Sequence, residues 1–123
     1  MFEKDNNLYV KAAEWVRRKG YSAVKVNLDA DNFEKPASFS QPGEEEDMVI
    51  TPDLTALMRG NKCYFDIALK SEDKRTLVTR WKLFDRLASM REGKFFLFTP
   101  HGHRAFAQRL VKRHDINAVL INL

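Results

Sequence analysis

One cysteine, Cys63, stands in a chain of 123 residues, so no internal disulfide can form and a disulfide scaffold is excluded. No apolar run approaches the roughly 18 residues of a membrane span, and no membrane partner is expected. Residues Met1 to Asn7 lack the basic-then-apolar layout of a secretory signal, which makes the cytoplasm the expected location. There is no glycine-rich phosphate loop, and no serine or cysteine sits in a recognisable nucleophile context. His101 and His103 form a close pair without a third ligand at zinc spacing, which reads as a connector rather than a metal site. No internal repeat is visible.

What is present is ordinary for one globular domain spanning 1–123. Hydrophobic residues make up 44% and charged residues 31% of the chain, enough to bury a core without staples. The net charge is +4, but its distribution is lopsided. Asp29 to Asp53 carries eight acids and one base, Lys35. Lys70 to Arg113 carries twelve bases and four acids. A basic side of this kind attracts phosphates, and it also serves simply as a solvated surface.

Helical spacing of Leu8, Ala12 and Trp15 predicts a helix over 7–19, capped by Asn6 or Asn7 and stopped by Gly20. Alternation over Tyr21 to Asn27 predicts a strand. Residues 29–47 lose periodicity and hold two prolines, a glycine and the acidic run Glu44 to Asp47, so a mobile acidic loop is expected. Met48 to Met58 and Cys63 to Lys70 read as two strands of an antiparallel hairpin joined by the turn Arg59 to Lys62, in which Gly60-Asn61 supplies the unusual backbone angles. Leu77, Trp81, Phe84 and Ala88 predict a helix over 75–91. Lys94 to Thr99 is a near-continuous apolar run, as in a strand covered on both faces. A basic helix from Arg104 to His114 and a strand from Ile116 to Leu123 complete the chain. The order predicts an α/β fold, a mixed sheet with a central β-hairpin and helices on both faces.

One constellation carries chemistry. Pro52-Asp53 opens one hairpin strand, and Asp66, Ala68 and Lys70 share one face of the next. Asp53 is expected near the end of that same face. Two carboxylates and a lysine on neighbouring strands suit a hard cation such as Mg²⁺, whose waters become nucleophiles. The lysine would orient the water or neutralise developing charge. Each residue also has a plainer reading. Asp53 and Lys70 serve as polar strand ends, Asp66 pairs with Lys70 or another base, and Glu14 pairs with Arg18 four residues on.

Over residues 7–100 the chain resembles the PD-(D/E)xK nuclease superfamily, closest in layout to small Holliday-junction-resolvase-type domains. The resemblance rests on the leading helix with Glu14, the Pro52-Asp53 pair, the hairpin, Lys70 and the helix and strand that follow. It implies a three-layer restriction-endonuclease-like fold and Mg²⁺-dependent, or Mn²⁺-dependent, hydrolysis of DNA. Asp53 would be the first metal acid, Lys70 the catalytic lysine and Glu14 the helix glutamate. The second acid belongs at position 68, which is alanine. Asp66 lies one pleat away, about 7 Å, and would be the second ligand of a shifted site, with Glu14, Glu72 or an acid of 44–47 as substitutes.

In the helix after Lys70, Arg75, Thr79, Lys82 and Arg86 form a polar stripe suited to a phosphate backbone. The functional expectation is a divergent nuclease acting on nucleic acid, DNA before RNA. Two alternatives stand beside it: a catalytically inactive nucleic-acid-binding module, and a protein-interaction subunit docking through the acidic loop 44–47. The resemblance also makes a homodimer an expected assembly.

Overall fold

The computed structural model describes residues 5–42 and 46–123. The first helix, α1 (Asn6–Arg18), is capped by Asp5, whose carboxylate accepts from Asn7 N–H at 3.0 Å. The expected asparagine caps are instead the first helical residues. Its other end closes as anticipated at Gly20, which takes φ +91°. Tyr21 N–H then returns to the Val16 carbonyl and Gly20 N–H to that of Arg17, so these two carbonyls near the helix end are satisfied.

Strand β1 (Ser22–Val26) follows, bulged between Ser22 and Lys25 where Ala23 takes φ 50°. Two short strands come next, β2 (Phe39–Gln41) and β3 (Met48–Ile50), paired antiparallel in a small sheet of their own. The sequence reading had no strand at β2, because three residues are too few to show alternation. Nor is the stretch before it structureless: Phe33 packs into the core beneath α1, and Val26 N–H donates to the Glu34 carbonyl at 2.7 Å. Of the acidic run, Glu44 and Glu45 lie outside the described residues, and Glu46 and Asp47 are exposed.

The main sheet has the order β1-β4-β5-β6-β7, with β4 (Leu54–Met58), β5 (Asn61–Ile67), β6 (Phe95–Thr99) and β7 (Val119–Asn122). Strands β1, β4 and β5 pair antiparallel, while β5, β6 and β7 pair parallel, so the sheet is mixed. The β4–β5 turn is Arg59-Gly60, with φ 54° and 83°. A two-residue hairpin loop with both φ positive matches the twist of the strands it joins. The loop lies within the expected Arg59–Lys62 turn, but the positive φ angles fall on Arg59-Gly60 and not on Gly60-Asn61, and Asn61 and Lys62 already belong to β5.

Helix α2 (Lys74–Met90) joins β5 to β6, and α3 (Arg104–Arg113) joins β6 to β7. The buried residues of α2 are Leu77, Trp81, Phe84 and Ala88, the stripe read from the sequence. They form one core with Tyr64, Ala68, Phe95, Leu97 and the inner face of α3. On the opposite face of the sheet, Ala12, Ala13 and Val16 of α1 pack on Phe65, Ile67, Phe96 and Phe98. Residues alternate between these two cores along β6, which explains its unbroken apolar run. Gly93 sits where a Cβ would run into the Lys62 carbonyl, so the end of α2 can close on β5 only through a glycine.

Candidate functional site

Asp53 and Asp66 stand opposite one another, one step beyond the last paired residues of the hairpin, Leu54 and Phe65. Both are buried, at 3% and 0% exposure. A carboxylate without water needs donors, since an unpaired buried charge costs several kcal/mol. The two acids find theirs on different helices.

Asp53 turns to α1. Its Oδ1 accepts from the Tyr9 hydroxyl at 3.1 Å, and its Oδ2 from the backbone N–H of Ile67 at 2.8 Å. Asp66 turns to α2. Its Oδ1 accepts from Arg80 Nη2 at 2.6 Å, and its Oδ2 from Trp81 Nε1 at 3.0 Å and Arg80 Nε at 3.3 Å. Arg80 also donates from Nη2 to the Thr51 carbonyl at 2.9 Å and lies 5.2 Å over the Phe84 ring. The guanidinium is thus held by a two-pronged carboxylate contact, a carbonyl and an aromatic face, the arrangement that suits a buried arginine. Burial pushes Arg80 toward the neutral form. The charge of Asp66 and its hydrogen bonds, then Asp53 and Glu72, outweigh burial and hold the side chain more firmly charged than usual.

The other anticipated residues lie apart from this centre. Glu14 is exposed on α1 and about 140° round the helix from Tyr9. It is Tyr9 that α1 brings to Asp53. Ala68 is fully buried in the apolar cluster with Leu77 and Trp81, so a side chain at the expected position of the second acid faces core and not a cation. Lys70 is exposed beyond the end of β5, and its backbone N–H donates to His103 Nδ1 at 2.9 Å. Three residues of the centre were not singled out from the sequence: Tyr9 and Trp81, which read as apolar-stripe residues, and Arg80, which falls between the apolar stripe of α2 and its basic stripe. An acid set between Phe65 and Ile67 called for a base, and nothing local showed which one answered.

The basic stripe faces solvent. Arg75, Lys82 and Arg86 are exposed, and Thr79 spends its hydroxyl on the Arg75 carbonyl at 3.1 Å. Lys82 is two residues past Arg80, about 160° round the helix, so the stripe and the acid centre occupy different sides of α2. The single acid of α2, Asp85, is engaged by Asn117 N–H at 3.0 Å and by the Ser89 hydroxyl at 3.4 Å.

The Mg²⁺ implied by the nuclease resemblance does not fit these residues. Both oxygens of Asp66 accept from cationic or indole donors, and a fully buried alanine holds the position of the second acid. Among the described residues no group of three or more His, Cys, Asp or Glu is disposed to hold a metal ion. Comparison with protein-family models, curated proteins and solved structures found no match to this chain.

Two outcomes are expected. Replacing Arg80 by Met strands a buried carboxylate and should cost about 3–5 kcal/mol, and adding Asp66→Leu should restore much of that loss. Urea denaturation of the two single variants and the double variant measures it, and simple additivity would contradict the pairing. His103 accepts through Nδ1 from Lys70 N–H, and burial, then the Lys70 charge, lowers its pKa below 6.5. The unfolded chain therefore binds a proton that the folded chain resists, so stability should decline as pH falls through about 6.5 and level off below the folded value. His103→Gln should flatten that part of the stability profile.

Proposed function

We propose that the chain is a nucleic-acid-binding domain with a nuclease-like layout, in which the Arg80 guanidinium takes the electrostatic place of a metal and phosphodiester hydrolysis is absent. The observation that carries this reading is the Asp66 carboxylate, with both oxygens committed to Arg80 and Trp81 at 2.6–3.3 Å. A ligand to Mg²⁺ needs an oxygen free to face the ion. Here the candidate second ligand is neutralised internally, and an apolar side chain fills position 68.

The binding half of the reading is supported by charge. Arg75, Lys82 and Arg86 present three exposed cations along one side of α2, and its one acid is held off the stripe by Asn117 and Ser89. Contacts of this kind go to phosphates, position a backbone and carry no base sequence. DNA is the expected polymer. The resemblance to nucleases remains a likeness of layout, resting on Pro52-Asp53, the hairpin and Lys70.

The test is DNA binding and cleavage by the purified chain in EDTA and in Mg²⁺ or Mn²⁺. Binding should not depend on divalent metal. The three contacts of the stripe alone would lower affinity by about 40-fold between roughly 50 and 200 mM salt, and any further phosphate contact would steepen the fall. Reversing charge at Lys82 and Arg86 should weaken binding on every sequence alike. Metal-dependent cleavage of duplex, single-stranded, flap or four-way DNA, lost in Asp53→Ala and Lys70→Ala, would restore the active-enzyme reading in its place.

A further inference from the structure

A groove of about 490 Å³ separates α2 from α3, on a different flank of α2 from the acid centre. It is lined by Lys74, Arg75, Val78 and Thr79 from α2, and by Leu110, Arg113 and His114 from the end of α3. Val78 and Arg80 are two residues apart, about 160° round the helix, which puts the groove and the Asp66 contact on opposite flanks. Three permanent cations line it and no carboxylate does. The acids next to these residues in the chain are Asp73 and Asp115. Asp73 caps α2, accepting from Thr76 N–H at 3.0 Å and the Thr76 hydroxyl at 2.9 Å, and Asp115 lies in the turn after α3.

We infer that this groove is the track of a nucleic-acid backbone, with Lys74, Arg75 and Arg113 on its phosphates. The inference rests on the nucleic-acid reading above and locates it. Charge complementarity names the occupant: cations from two helices, Lys74 and Arg75 of α2 and Arg113 of α3, line one groove together with the apolar Val78 and Leu110. A sugar-phosphate chain presents the matching combination, with a charge at every phosphate and carbon-rich sugar between. A lone anion would leave cations on one bank unanswered. Among the described residues lining the groove there is no Phe, Tyr or Trp and His114 is the one ring, so base stacking has little to rest on and contacts go chiefly to the backbone, independent of sequence. Arg75 belongs to both features, so a backbone seated in the groove passes out along the exposed side of α2 toward Lys82 and Arg86.

The test measures affinity for fluorescently labelled single-stranded and duplex DNA across a salt series. The proteins are the unaltered chain, a groove variant (Lys74→Ala with Arg113→Ala), a stripe variant (Lys82→Ala with Arg86→Ala) and a comparison variant on α1 (Lys11→Ala with Arg18→Ala). The groove variant should lose roughly tenfold or more in affinity at low salt, and its slope of log affinity against log salt should shrink by about 2. The α1 variant should bind like the unaltered chain. If the unaltered chain binds DNA and the groove variant binds equally well, the groove assignment is wrong while the nucleic-acid reading stands. If the unaltered chain binds no DNA, both are wrong. Displacement of DNA by polyglutamate at equal charge would make the groove an acidic-peptide site and overturn the backbone assignment.

Discussion

Arg80 reaches from α2 to the end of β5 and meets, in Asp66, a carboxylate with no access to water. Neither group is tolerable there without the other, so the two must be buried together. The next residue, Trp81, adds its indole N–H to the same carboxylate. Two consecutive residues bonded to one acid fix the rotation of α2 about its axis. Leu77, Phe84 and Ala88 then fall on the core, and Arg75, Lys82 and Arg86 are turned to solvent. The basic face is in this sense a consequence of how an acid in the sheet is neutralised.

The same pairing sets the chemical character of the hairpin's end. Asp53 and Asp66 lie on neighbouring strands at the end of the hairpin, but their carboxylates turn to α1 and α2 respectively. The cation that Asp66 needs is already supplied by the chain as Arg80. Asp53 is satisfied by a phenol and a backbone N–H, and its charge, like those of Asp66 and Glu72, acts to keep Arg80 ionised. An arginine fork differs from a bound metal in having no water to activate. It stabilises position and charge, and offers no nucleophile.

Much of the architecture was legible because it rests on local signals. The apolar stripe of α2 emerged from spacing alone, and β6 from an apolar run that two cores now explain. Gly20 ended α1 as read. Failures came where the signal was short or distant. Strand β2 is three residues long and pairs across the acidic segment, so neither alternation nor a hairpin turn marked it. The α1 cap was misplaced by one residue because Asp5, Asn6 and Asn7 are all competent caps. For the candidate site, the sequence located Asp53 and Asp66 and required that Asp66 have a partner. It could not show that the partner was Arg80, 14 residues on, because that depends on how α2 lies against the sheet. It also placed Glu14 by family likeness, where helix geometry instead delivers Tyr9.

The central claim is that the two acids are satisfied by the chain's own donors, Asp66 by Arg80 and Trp81 and Asp53 by Tyr9 and the Ile67 N–H, and do not recruit a metal. Amide NMR of the chain titrated with Mn²⁺ addresses it directly, because a bound paramagnetic ion erases signals only in its own neighbourhood. The account predicts that the Asp53, Asp66 and Ile67 amides broaden no more than those beside exposed acids such as Asp29. Selective loss of the Asp53, Asp66 and Ile67 signals at low Mn²⁺ would show an ion seated between the two carboxylates and would contradict it.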